Sequence, residues 1–218
     1  MEFINCAIDF DQQENQIGTL ANTVYIRTIA DYHIKDDPNS LIKNVFHPES
    51  VSALLYSKCW IDTIQWHLED EIRRIDLDPQ QCLLIKRRID KSNQDRTNIV
   101  EVIDDYFLRQ YSKVKPLENA KINTESPAWA LDRLSILALK IYHMQAELDR
   151  NDTSAEHAAA CSLKLETLLE QRVDLCKSIN ELHHDITIGA KRMKVYRQIK
   201  MYNDPNLNPV LYNSKVNS

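Results

Sequence analysis

From Val51 onward the apolar positions Val51, Leu54, Ile61, Leu68, Ile72 and Ile75 recur in steps of three, four and seven. At 3.6 residues per turn that spacing returns side chains to one face of a helix, whereas a strand would alternate. "LDPQQ" then starts another helix: Asp78 can accept from the free N–H groups of the first turn, and Pro79 loses nothing where its N–H would have no partner. Ser126 and Pro127 repeat this chemistry before "LSILALKIYHM", a body apolar nearly all round, as expected of a central helix. Thr153 and Glu156 read as a capping box that opens the last long helix, with the seam Cys161, Leu165, Leu168, Leu175, Ile179, Leu182 and Ile186 and one interloper, Arg172. Upstream, Ile17, Leu20, Ala21, Val24, Tyr25 and Tyr32 predict a first helix interrupted on its seam by Thr28, with "KDDPNS" as the loop after it. After Gly189 the run "KRMKVYRQIK" predicts a short basic helix, and "YNDPNLNPVLYNSKVNS" an extended, turn-rich tail. All prolines fall between these segments or in the tail. The expected architecture is therefore all-α, a single-domain antiparallel helical bundle of about five to six helices, residues 1–202, with an extended C-terminal tail, residues 203–218.

One stretch resists the pattern. After Ile89 nine residues, "DKSNQDRTN", carry no apolar side chain, yet Ile85 and Ile103 are eighteen residues apart and share a heading at about 100° per residue. No glycine or proline intervenes between Pro79 and Pro116. The reading is a single helix from Pro79 to about Arg109 that carries a polar belt, placing Ser92 and Arg96 on the inward seam between Ile89 and Ile99. A buried guanidinium needs a carboxylate, an anion or water beside it. Folding about Asp76 and Leu77 brings Asp62 level with Ser92 and Gln65 level with Ile89 and Asp90, to within a turn. Asp62, Gln65 and Glu69 then face Arg88, Asp90, Asn93 and Arg96. The same arithmetic predicts a second layer, with Asp104 and Asp105 level with Asp132 and Arg133, and Asp132 level with Arg172.

Composition narrows the chemistry. Gly18 and Gly189 are the only glycines in 218 residues, which excludes the glycine-rich phosphate loops of Walker and Rossmann type. A formal charge of −5 makes nucleic acid an unlikely partner. Five scattered cysteines with no CxxC suggest neither a disulfide framework nor a thiolate zinc site, and fit a reducing cytoplasm. The acidic N-terminus does not resemble a signal peptide, and no apolar run approaches the roughly twenty residues of a membrane span.

All-helical nucleoside-triphosphate pyrophosphohydrolases hold magnesium with paired ExxE and ExxD motifs, because a hard cation needs several oxygens on one side. Here the corresponding places read Asp62-x-x-Gln65 and Asp90-x-x-Asn93, two carboxylates short. Glu101-x-x-Asp104 lies about 36 Å beyond the turn, with no acidic mirror on the preceding helix. Mg²⁺, the cofactor these carboxylates admit, would fall to Asp62, Glu69 and Asp90. His67 could serve as a general base, although a lone helical histidine is more often a satisfied core or surface residue. The basic run reads as a solvated face or a docking face for the acidic helices.

The functional expectation is a small anionic ligand, phosphorylated or nucleotide-like, with Arg88, Arg96 and Arg133 on the anion. Asp62, Glu69 and Asp90 would position it or a metal, with Gln65, Asn93, Asp104, Asp132 and Arg172 around it. A metal-assisted hydrolase, using Asp62, His67, Glu69 or Asp90 in catalysis, is the enzymatic form of that reading. The alternative is a non-enzymatic interaction or structural protein whose charges are internal struts, and a homo-oligomer is compatible with both.

The strings "WIDTIQWHLEDEIR", "IKRRIDKSNQDRTNIVEVIDDYF", "INTESPAWALDRLSILALKIYHM" and "MKVYRQIKMYNDPNLNPVLY" resemble an uncharacterised bacterial family, the DUF4254-type domains of unknown function. The resemblance covers roughly Asp31 to Tyr212 and implies a bacterial cytoplasmic protein containing the capped helix starts and the belt. It carries over no activity, cofactor or catalytic residue.

Overall fold

The side chains that cap the helices fix where each begins. In the computed structural model, which describes residues 16–199 and Leu207, five helices follow in order: α1 Ile17–His33, α2 Val51–Glu71, α3 Pro79–Gln110, α4 Pro127–Leu148 and α5 Ala155–Thr187. Ser50 accepts from the Ala53 N–H at α2, Asp78 from Gln80 and Gln81 at α3, and Ser126 from Trp129 at α4. At α5 the cap is Ser154, which accepts from His157, one residue beyond the expected Thr153; the Thr153 hydroxyl instead donates back to Arg150. α3 runs unbroken for 32 residues, about 48 Å, so the polar belt is helical.

The helices form an all-α bundle: α1 packs on α2, α4 and α5, α4 lies along α5, and α2 pairs with α3. Gly18 permits the α1–α5 crossing, since a Cβ there would sit 2.5 Å from the Cys176 carbonyl oxygen. The Gly18 N–H, free at the helix start, donates to Asn180 of α5 at 2.8 Å. The main core gathers Tyr25, Ile29, Leu55, Tyr56, Ile103, Phe107, Leu131 and Leu134, while Leu68, Ile85 and Ile89 make a separate small cluster near the α2–α3 turn.

Two expectations are corrected. On α2 the fully buried apolar positions are Leu55, Tyr56, Cys59 and Leu68, whereas Val51, Leu54 and Ile61 are half-buried and Ile75 lies beyond the helix, fully exposed. The central helix is enclosed on more than one side, so its apolar seam does not mark its most buried face. Residues 191–199 form an extended strap, not a helix. Lys191 bridges to Lys121, the Arg192 N–H donates to the Lys121 carbonyl, and Arg197 pairs with Glu101 and Asp105 of α3. These cross-chain partners replace the hydrogen bonds a helix would have supplied. The expected boundary at residue 202 and the tail from residue 203 lie outside the described residues, Leu207 excepted. Among the described residues no helix is long and apolar enough to cross a membrane.

Candidate functional site

α2 and α3 run side by side from their turn, so positions equidistant from it meet. Arg96 donates through Nε to Asp62 Oδ1 at 2.6 Å, and Gln65 bridges the helices by accepting from Ser92 at 3.2 Å and donating to Asn93 at 2.8 Å. The register is one turn from the level pairing of Asp62 with Ser92. α4 completes the layer: Asp132 accepts from the same guanidinium at 3.2 Å, and the Ser135 hydroxyl donates to Asp62.

The decisive member is Lys58, on α2 one turn before Asp62. Its ammonium is fully buried, pairs with Asp62 and lies 2.6 Å from Asp132. Two cations therefore face two carboxylates. Burial opposes the charge on Arg96, but Asp62 and Asp132 outweigh it and hold the guanidinium pKa above its ordinary value. The lysine and the serine share Asp62 Oδ2 and the arginine takes Oδ1, so a metal there would have to compete with three donors already in place.

Beside this network, between α2, α3 and α4, opens a cavity of about 250 Å³. Asp62, Gln65, Trp66, Glu69, Arg96 and Ile136 line it, with Asp70 and Arg73 also in its wall. Arg73 reaches Asp70 at 3.2 Å and Glu69 at 3.7 Å, an exposed ion-pair cluster.

The remaining expected site residues do not join this group. Arg88 is exposed, donates to the Pro38 carbonyl at 3.3 Å and lines a different cavity. Arg133 is 64% exposed, pairs with Glu125 and faces a third groove, so the three arginines expected on one anion do not converge. Asp90 pairs with Lys86 at the surface of α3, and the expected trio of Asp62, Glu69 and Asp90 is not assembled. The second charge layer does not form either. Asp132 turns to Lys58 and Arg96, Arg172 lines an α1–α5 groove, and Asp104 is buried with Oδ1 unpartnered. Positions level along the helix axes do not face one another here: Arg133 turns to Glu125 and Asp105 to Arg197. His67 is half-buried, with its Nε2 3.2 Å from His33 Nε2. Among the described residues, the one group of histidine, cysteine and acidic side chains placed to share a metal is His33, His67 and His143.

Sequence reasoning missed Lys58, Ser135, His33 and His143. Lys58 carried a signal, a lysine four residues before the inward Asp62 on the same helix, but lysine is almost never fully buried unless paired. The two histidines carried none, because their neighbours come from other helices.

Fold and layer together define an all-helical bundle with a neutralised charge network at its centre and a small polar cavity beside it. The chain belongs to the DUF4254 family of proteins of unknown function, whose model matches residues 52–195, from the first turn of α2 into the strap. No curated protein and no solved structure matches the chain.

Proposed function

We propose that the protein binds one small polar metabolite in the cavity between α2, α3 and α4, with Arg96 receiving an anionic group. The single observation carrying this reading is that Arg96 lines the cavity while two carboxylates lock its orientation. A guanidinium has five N–H donors, so those not engaged by the carboxylates can serve a ligand oxygen without side-chain reordering on binding. Size argues against a nucleotide: about 250 Å³ is below the roughly 300–1,000 Å³ of sites for drug-sized ligands. Charge narrows the ligand further. Lys58, Arg73 and Arg96 stand against Asp62, Asp132, Glu69 and Asp70, a balance of −1 that opposes a bare polyanion. A compound with one carboxylate or phosphate for Arg96, and hydroxyl or ammonium donors for Glu69, fits this wall, with Trp66 as the flat apolar surface. Magnesium, if it enters, accompanies the ligand, since Asp62 already accepts from Lys58, Arg96 and Ser135.

The test is a thermal-shift screen of the intact chain against amino acids, hydroxy acids, sugar phosphates and nucleotides, with and without Mg²⁺ or Mn²⁺. A ligand at a hundred times its Kd adds about 2.7 kcal/mol of stability. We expect hits among the smaller compounds, abolished by Arg96→Met. The neutrality of the network favours a second reading, a structural strut within a non-enzymatic interaction protein. A screen without any response decides for that reading and against the first.

A further inference from the structure

His33 ends α1, His67 lies in the second turn from the end of α2, and His143 is on the latter half of α4, so three helices each bring one imidazole to a common point. One ring nitrogen from each lies within 4.8 Å of the other two. We infer that this cluster is a transition-metal site of the zinc class, with His33, His67 and His143 as nitrogen ligands and Asp36 as an exchangeable oxygen ligand. The inference is independent of the cavity proposal: none of its ligands lines that cavity.

The hydrogen bonding defines which atoms face the ion. His33 Nδ1 lies 2.7 Å from the Ile29 carbonyl oxygen, which can only accept, so Nδ1 carries the hydrogen and Nε2 presents its lone pair. Metal-bound histidines are held in this way, the other ring nitrogen donating to a carbonyl or carboxylate. His33 Nε2 lies 3.2 Å from His67 Nε2, a hydrogen-bonded pair that a metal ion would replace. With zinc–nitrogen bonds of about 2.0–2.1 Å, the edge of a coordination tetrahedron is about 3.3–3.4 Å, so this pair is already at ligand spacing. Asp36 Oδ1 lies 3.5 Å from His67 Nε2 and 3.9 Å from His33 Nε2, slightly wide of that edge. His143 Nε2 is buried with no hydrogen-bond partner, a cost that a metal bond or a water would remove.

Two further features support an organised site. Each imidazole is backed by its own aromatic ring: Tyr142 at 4.2 Å for His33, Tyr32 stacked at 5.2 Å on His67, and Trp66 stacked at 4.7 Å on His143. Asp36 has φ +50°, the left-handed region that aspartate enters at some cost, and this conformation sets its carboxylate beside the histidines. Three nitrogens favour zinc, cobalt, nickel or copper over magnesium or calcium. Asp36 is 57% exposed, so the fourth position opens to solvent and can exchange its carboxylate for water.

The test uses the full chain stripped with a chelator and titrated with Co²⁺, whose d–d absorption is strong in four- or five-coordinate sites and weak in the hexa-aquo ion. We expect bands that saturate at one equivalent and are displaced by Zn²⁺. His33→Gln and His67→Gln, checked for folding by circular dichroism, should each abolish them. Asp36→Asn should retain them with affinity lowered about 10- to 100-fold. In the unsubstituted chain, imidazole NMR should show Zn²⁺ shifting His33, His67 and His143 while leaving His47, His157 and His184 in place, a readout that does not depend on variant folding. No bands in the wild-type chain, bands that survive both histidine substitutions, or shifts confined to the other histidines would overturn the assignment.

Discussion

Lys58 shows how one residue can govern a core. Removing a single partner from a buried ion network leaves an uncompensated charge, at a cost of roughly 3–5 kcal/mol. Lys58→Met should therefore destabilise the protein by about that amount in urea denaturation, because Asp62 and Asp132 would share Arg96 alone. Lys58→Met combined with Asp62→Leu leaves the pair Arg96–Asp132 and should recover a substantial part of the loss. If the double variant is as unstable as the sum of the single ones, the network is not coupled. Asp104 carries the opposite sign. Burial chiefly raises its pKa, with Asp105 and Glu101 adding and the Ser126 hydroxyl and Arg197 pulling down. A carboxyl raised in the folded state contributes stability in full below its unfolded pKa, about 3.9, and loses it as pH rises through the folded value. At neutral pH the ionised Asp104 is thus a cost. Asp104→Asn should raise stability at pH 7, change it little near pH 4 and flatten the slope between, in denaturant titrations at the two pH values. At this scale Asp62, Gln65, Asn93 and Arg96 were legible, because helix phase alone turned them inward. Ser135, His33 and His143 were not, since which side chains converge from separate helices depends on rotations and crossing angles that no single-helix pattern contains.

Elements were read more fully than residues, for a physical reason: a cap is local chemistry. Ser126–Pro127 and Asp78–Pro79 start α4 and α3 as expected, and the 18-residue phase match across the belt did imply an unbroken α3. The readings failed where a long-range partner displaced a local preference. The strap has helix-forming residues, yet Lys121 and the acidic face of α3 supply its bonds across the chain. The α1–α5 crossing belongs to the same class, since nothing local to Gly18 reveals that the Cys176 backbone lies against it. Gly18→Ala places a methyl 2.5 Å from that carbonyl oxygen, and neither partner is a flexible side-chain end. The helices must move apart, straining the Asn180 bond to the Gly18 N–H. Overpacking of this kind costs typically 1–3 kcal/mol, so a Tm drop of several degrees is expected; an unchanged Tm would mean that the crossing is looser than the contact implies.

A polar layer crosses the molecule, and Ile64 packs against the apolar clusters on both sides of it. Asp62, Gln65, Ser92, Asn93 and Arg96 lie between the main core and the small cluster of Leu68, Ile85 and Ile89 at the α2–α3 turn. Three buried aliphatic side chains, with Ile64, Ile72 and Leu77 partly covering them, contribute far less than the main core, at roughly 1.5–3 kcal/mol per fully buried side chain. The tip of the hairpin should therefore open as a unit at a free energy below that of global unfolding. Hydrogen exchange at equilibrium tests this directly: amides of residues 69–71 and 83–88 should exchange through a shared partial opening, while those of residues 59–62 and 103–107 should exchange only with global unfolding. Equal protection on both sides of the layer would show that the two clusters are one cooperative core. The same partition bears on the cavity, because Glu69, Asp70 and Arg73 belong to the tip whereas Asp62, Arg96 and Ile136 belong to the layer and α4. A ligand spanning both walls binds only the closed hairpin, and by linkage it must raise the tip's opening free energy by its own binding term, RT ln(1 + [L]/Kd). Protection should then rise at residues 83–88, which touch no ligand, by the factor measured at residues 69–71, whereas a compound bound wholly outside the tip would leave protection in the tip unchanged and raise only that of residues 103–107.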